Sequence, residues 1–224
     1  MTAPILAAPK AIIFDWDNTL VDSWAIIHEA LNTTLRAMSH DEWTLDMVRA
    51  RVALSLRDAF PLLFGERWEE ARQIFYRRFS EIHIEQLRPL PGADAMLREL
   101  AAMDIKLAVV SNKTGEYLRR EARELGWEPL FDRLVGAGDA EADKPHPAPV
   151  RMALEACGIA PGEQVWFAGD APVDMQCAIT AGCAPVLLRS EGPGADFSDW
   201  PPRHHFAAFS MVTGLVRGLA APIS

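Results

Sequence analysis

Five short apolar runs constrain this chain more than any other feature: KAIIFDWD (10–17), KLAVVSN (106–112), RLVGAG (133–138), QVWFAGD (164–170) and APVLLRS (184–190). Each is almost unbroken in hydrophobicity, whereas a strand with one wet face alternates apolar with polar positions. Strands of this kind need cover on both faces. The later runs are separated by stretches with helical spacing at 115–126, 147–157 and 173–181, which can supply that cover. The pattern predicts an α/β fold, a doubly wound parallel sheet between layers of helix.

Residues 22–89 interrupt this alternation. WAIIHEALNTTLRAM, LDMVRARVALSLRDAFPLLF and RWEEARQIFYRRFSEIHIEQL read as amphipathic helices with no strand among them. Such a block is far longer than an ordinary crossover between parallel strands. The expectation is an all-α cap at 22–89 inserted into a core made of 1–21 and 90–224. DNTLVDS leads out of the core, and RPLPGAD leads back, with Pro89 and Pro91 stiffening the return and Gly92 opening a helix. Both connections lie near the carboxyl edge of the first strand, where open α/β sheets bind ligands. The tail after Ser190, including GPGADFSDWPPRHH, reads as a loop before a short apolar segment and a last helix near 210–219.

Composition narrows the function. The chain has 224 residues, half of them hydrophobic, and a net charge of −9, so no global basic field would draw nucleic acid or an anionic membrane. An anionic substrate would be held by a few local cations or a metal. The three cysteines lack the spacing of a zinc site and are odd in number, which argues against a disulfide framework. MTAPILAAPK has no basic segment followed by a long apolar run, and no run reaches about 18 apolar residues, so a cytoplasmic protein is expected, monomeric or homodimeric.

The strand ends carry the chemistry. Asp15 and Asp17 close the first apolar run two positions apart, a spacing that lets both reach one pocket. Ser111 and Asn112 follow KLAVV, Asp170 follows VWFAG, and Lys144 lies just beyond the third run in EADKPHP. In a parallel sheet all these ends share one edge. Asp174, behind Pro172 at a helix start, comes close to Asp170. Asp15, Asp170 and Asp174 form a set of hard oxygen donors suited to Mg2+ rather than zinc or copper. Each residue also has a structural reading: a carboxylate complementing a helix dipole, a turn-forming hydroxyl, a solvated lysine, or Asn112 capping the next helix.

DWDNTLVDS, VVSN, KPHP and GDAPVDMQCAITAG, in that order along the chain, resemble the haloacid dehalogenase superfamily, and within it the phosphatases with a helical cap in the first insertion position. The first motif is most similar to the phosphoglycolate phosphatase-like branch. The resemblance implies a Mg2+-dependent phosphatase for a small phosphorylated metabolite. In that reading Asp15 attacks phosphorus to form an aspartyl-phosphate, and Asp17 acts as acid and then base. Ser111 and Lys144 bind phosphate oxygens. The metal is held by Asp15, the backbone carbonyl of Asp17 and Asp170, with Asp174 in support. Asn18 stands where many relatives carry glycine, which puts the turn behind Asp17 in question.

Specificity is expected in the cap, where Arg49, Arg51 and Arg57 are candidates to clamp a substrate carboxylate or second phosphate, although arginines on such helices commonly face water. His146 reads as exposed scaffold, Asp139, Glu141 and Asp143 as a solvated loop face, and the tryptophans other than Trp16 as core or interface. Halide displacement is disfavoured by Asp17, Asp170 and Asp174. An imine-forming phosphonate cleavage lacks its cap lysine, because no lysine lies between Lys10 and Lys106. A sugar phosphomutase shares the core set and stays open. A receiver-like signalling module or a silent phosphate-binding module is the alternative of another class.

Overall fold

The structure, a computed structural model, describes residues 7–52 and 54–220; most of the amino-terminal MTAPILAAPK, on which the localisation reading partly rests, lies outside them. The chain runs β1 (Ala11–Phe14), β2 (Val21–Asp22), four helices α1 (Trp24–Ala37), α2 (Leu45–Arg51), α3 (Leu56–Phe64) and α4 (Trp68–Ile82), and then β3 (Arg88–Pro89). It continues as α5 (Ala93–Ala102), β4 (Lys106–Thr114), α6 (Gly115–Glu124), β5 (Arg133–Ala137), α7 (Ala148–Cys157), β6 (Val165–Gly169), α8 (Pro172–Thr180), β7 (Ala184–Leu188), β8 (His204–Phe206) and α9 (Phe209–Ala220).

Six parallel strands form the sheet in the order β5-β4-β1-β6-β7-β8. From β1 the chain builds outward to β4 and β5, then crosses back to lay β6 against the other side of β1. The order therefore reverses at β1, and the crevice at its carboxyl end is the place such a sheet leaves for a ligand. The unbroken apolar runs are explained by burial on both faces. Ile12, Phe14, Leu107 and Trp166 join the layer with α5 and α9, while Ala11, Ile13, Val110 and Phe167 join the layer with α7 and α8.

β8 corrects the sequence reading, which left His204 and His205 in a loop. Its only buried side chain is Phe206, so three residues at the sheet edge carry no apolar run to detect; the ladder to β7 and the bond between the His205 ring and the Arg189 carbonyl, 2.8 Å, define it instead. No helix among the described residues is long and apolar enough to cross a membrane.

Between β2 and β3 the described chain is helical, as its periodicity predicts. α1, α3 and α4 close over their own apolar cluster, which includes Ile26, Leu35, Phe60, Phe64, Phe75 and Phe79. Each such side chain contributes about 1.5–3 kcal/mol on full burial, so the insertion has a core independent of the sheet. Its two connections are tied together where they leave the core. β2 pairs antiparallel with β3, Val21 opposite Pro89 and Asp22 opposite Arg88, and Leu90 N–H donates to Leu20 C=O at 2.9 Å.

Candidate active site

Asp15 follows directly on β1, and its N–H donates to the Ala168 carbonyl at 2.9 Å, so the strand geometry carries one residue beyond Phe14 and delivers the carboxylate into the crevice. Lys144 meets it there. The Lys144 Nζ donates to Asp15 Oδ1 and to Asp174 Oδ1, each at 2.7 Å. Lys144 lies in a loop, yet its backbone is clamped by β4: Asn112 Oδ1 accepts the Lys144 N–H at 3.1 Å and Asn112 Nδ2 donates to the Lys144 carbonyl at 3.2 Å. The amide of Asn112 thus holds the Lys144 backbone through both its oxygen and its nitrogen. Its effect on the site passes through the lysine it positions.

Asp174, in the first turn of α8, accepts the Ala171 N–H at 3.0 Å with Oδ2, satisfying a free donor of the helix start. Its approach to β6 requires Gly169, because a Cβ at that position would stand 2.4 Å from the Asp174 carboxyl carbon. Asp170 accepts the buried Thr19 hydroxyl at 2.8 Å, and Arg189 Nη1 donates to its carbonyl at 3.2 Å. Carboxylate oxygens of Asp15, Asp170 and Asp174 all lie within 4.8 Å of one another. Ser111 is buried on β4, lines the same cavity, and accepts the Lys113 N–H at 3.2 Å.

The electrostatics follow from this crowding. Burial first, with Lys144 opposing and the Asp174 and Asp17 charges adding, pushes Asp15 up to about 7. Asp170 touches the cavity but is closed in by protein; burial, then the charges of Asp174 and Asp15, raise it well above the carboxylate range. Burial works against the Lys144 ammonium, yet the flanking Asp15 and Asp174 carboxylates hold its pKa above the ordinary lysine value. Three acids and one base leave a deficit of positive charge.

Asp17 is handled differently. Its carboxylate bonds Lys113 Nζ at 2.7 Å and the Ser23 hydroxyl. The turn behind it survives the asparagine at 18, which adopts φ +61° and accepts the Ser23 N–H at 3.1 Å on its side chain. Asparagine tolerates this left-handed geometry better than most residues.

Sequence reading missed Lys113 and what stands behind it. Lys113 is buried and also reaches Glu121 at 2.6 Å; Glu121, buried on α6, accepts Trp16 Nε1 at 2.7 Å and pairs with His83 Nδ1 at 2.9 Å, at the end of α4. Burial opposes both charges of the Lys113–Glu121 pair, but the pairing prevails, raising the lysine and lowering the glutamate. Two signals were present: Lys113 shares a strand face with Ser111, and Glu121 falls on the apolar stripe of α6 with Leu118 and Ala122. Trp16, set apart in the sequence reading, is a fully buried core residue bonded to this network.

The remaining predicted residues divide. His146 is exposed, as expected, and its Nδ1 accepts the Ala148 N–H at 3.2 Å. Asp143 is not a solvated loop residue: it is buried, accepts the Gly138 N–H at 3.0 Å, and lies 2.6 Å from Arg57 Nε. Asp139 is likewise only partly exposed and pairs with Arg119 at 2.6 Å, whereas Glu141 is exposed. A local run of acids cannot reveal that two of them face basic partners from elsewhere. Arg57 therefore reaches a core loop rather than the cavity. Arg49 is exposed, near Asp46 at 3.6 Å and over Trp24. Of the three arginines Arg51 lines the cavity, its guanidinium 4.7 Å above the Trp43 ring.

A reversing parallel sheet that gathers acids, a lysine and a hydroxyl at its strand tips, beneath a helical roof, is built as an α/β enzyme for anionic substrates. The model of the haloacid dehalogenase-like hydrolases matches residues 12–187, and the chain belongs to that family. It is 31% identical over 179 residues to a phosphoglycolate phosphatase of Aquifex aeolicus, covering 80% of this chain and 84% of that one. A phosphoglycolate phosphatase of Rhodospirillum rubrum is 34% identical over 199 residues, with 82% and 80% covered. The crystal structure of a hydrolase of the superfamily from Ehrlichia chaffeensis superposes with a TM-score of 0.66 at 31% identity, covering 97% of this chain and all of that one. The resemblance to the phosphoglycolate phosphatase-like branch stands on these relatives.

Proposed function

We propose that the protein is a phosphatase that hydrolyses a small phosphorylated metabolite through a phosphoryl-aspartate at Asp15. The observation that carries the reading is the convergence of Asp15, Lys144, Asp170 and Asp174, drawn from strand ends some 160 positions apart, on one crevice. An anion site needs positive charge, and Lys144 alone does not balance three carboxylates. Their hard oxygens and mutual distances fit a divalent cation, and Asp15, Asp170 and Asp174 with the Asp17 carbonyl would bind Mg2+. When bound, the ion supplies positive charge to the phosphoryl oxygens and keeps Asp15 ionised.

In the first half-reaction an Asp15 oxygen forms the bond to phosphorus as the ester P–O bond breaks. The leaving alkoxide takes a proton from Asp17. In the second, Asp17 takes a proton from water, whose oxygen attacks phosphorus and breaks the Asp15–phosphorus bond, giving inorganic phosphate. Asp17 suits this task because its carboxyl is held by Lys113 and Ser23 at the cavity, outside the cluster of Asp15, Asp170 and Asp174. Lys144 and Ser111 restrain the phosphoryl oxygens, so catalysis rests on alignment and charge. The helical insertion, 22–89, acts as a cap that closes on the core, 1–21 with 90–224, to exclude bulk water.

A phosphomutase would need a second phosphate site. Arg49 and Arg57 are turned elsewhere, so of the three arginines Arg51 alone could meet a second phosphate, which favours hydrolysis. Phosphate release from a panel of phosphorylated metabolites, phosphoglycolate first, is expected only with Mg2+ and not from Asp15→Asn. Absence of release by the folded, metal-loaded wild type, or full activity of Asp15→Asn, would overturn the reading.

A further inference from the structure

We propose that the organic part of the substrate is apolar, an alkyl or aryl group carried on the phosphate; the phosphoryl end of this proposal rests on the phosphatase reading, the apolar end on the cavity itself. The cavity above Asp15 has a volume of about 410 Å³, within the range of pockets that enclose ligands much larger than a two-carbon acid. Its floor is polar: Asp15, Asp17, Ser111, Lys144 and Asp170. Its wall is not. Trp24 and Leu31 of α1, Trp43, Phe60 of α3, and Phe75 and Tyr76 of α4 face it from the insertion, with Tyr76 stacked on Tyr117 of the core at 5.2 Å between ring centres. The apolar lining continues to the rim, where Leu54 and Leu62 are 41% and 81% exposed.

Charge points the same way. A substrate carboxylate such as that of glycolate needs a cation opposite, and burying it without one is costly. Lys113 and Lys144 each already bridge two carboxylates. Arg51, among the described residues of the insertion the arginine on the wall, is exposed, where water and salt weaken a charge pair, and its guanidinium is stacked 4.7 Å over the Trp43 ring. An apolar group displaces water from this wall and needs no counter-charge.

Binding of ethyl-, butyl- and hexylphosphonate, and of phosphonoacetate, to the Mg2+-loaded full chain is the test, read by calorimetry so that no turnover is required. Each added methylene is expected to tighten binding about four-fold until the wall is filled. Hexylphosphonate is expected to bind tightest, phosphonoacetate more weakly than butylphosphonate, with inorganic phosphate competing against all. Affinity that is flat with chain length, tightest binding of phosphonoacetate, or lack of competition by phosphate would overturn the proposal. Phosphate release from the matching alkyl phosphates, whose leaving alcohols differ little in acidity, is scored separately. Release from phosphoglycolate with a flat binding series removes the apolar substrate and keeps the phosphatase. A rising binding series without release from any ester removes the phosphatase and keeps the apolar ligand.

Discussion

Asp15 and Asp17 are two positions apart and live in different fields. Asp15, closed in by protein beside two further acids, is pushed up to about 7, whereas an unfolded aspartate loses its proton near pH 4. Between those values the metal-free native state binds more protons than the unfolded chain, so this group's contribution to stability falls as pH rises through the window. A cation takes the proton's place. The rise in thermal midpoint caused by Mg2+ is therefore expected to be larger near pH 8, about one unit above the window, than near pH 5, where the folded Asp15 still holds its proton; a rise independent of pH would contradict the assignment of Asp15 to the metal. Asp17→Asn keeps the shape of the site and removes the proton carrier. Its turnover is expected to fall by about 10²- to 10⁴-fold, with the circular dichroism spectrum unchanged.

Strands and helices set these side chains through two devices, a close approach and a buried charge network. Gly169 ends β6 where α8 brings Asp174 against it, and a methyl group there would stand 2.4 Å from the Asp174 carboxyl. Gly169→Ala is expected to displace Asp174 and abolish the Mg2+-induced rise in melting temperature while leaving most of the sheet intact; retention of the full rise would show that Asp174 does not support the ion. Glu121 on α6 joins β4 through Lys113, the segment after β1 through Trp16, and the end of α4 through His83. Removing Glu121 leaves buried Lys113 with Asp17 alone and takes the partner from His83 Nδ1 and Trp16 Nε1, so Glu121→Ala is expected to cost on the order of 3–5 kcal/mol in urea unfolding. A loss under 1 kcal/mol (about that of an exposed pair) would mean water reaches Lys113.

The insertion and the core meet at more than their paired connections. Arg57 on α3 reaches Asp143, three residues beyond Ala140 in the loop that also presents Lys144, with 2.6 Å between the charged atoms. A double-mutant cycle on Arg57→Ala and Asp143→Ala is expected to give a coupling of about 0.5–3 kcal/mol in unfolding free energy; additive losses would show that the contact carries nothing. Much of this architecture was legible in the order of residues. Doubly apolar runs require cover on both faces, so the parallel sheet could be read at 10–17, 106–112, 133–138, 164–170 and 184–190, where β1, β4, β5, β6 and β7 form. Helical spacing marked the insertion, and parallel strands align their tips, so Asp15, Ser111, Lys144 and Asp170 could be assigned to one edge before any coordinate was known. Three things escaped: β8, whose short edge ladder has one buried side chain; the Lys113–Glu121–His83 network; and the apolar wall over the acids. Periodicity reports which face of an element is buried, because burial repeats along the element itself. Which charge meets which, and what stands opposite a catalytic floor, depends on elements distant in the chain approaching in space, as His83 and Glu121 do across 38 positions; only the folded arrangement decides that.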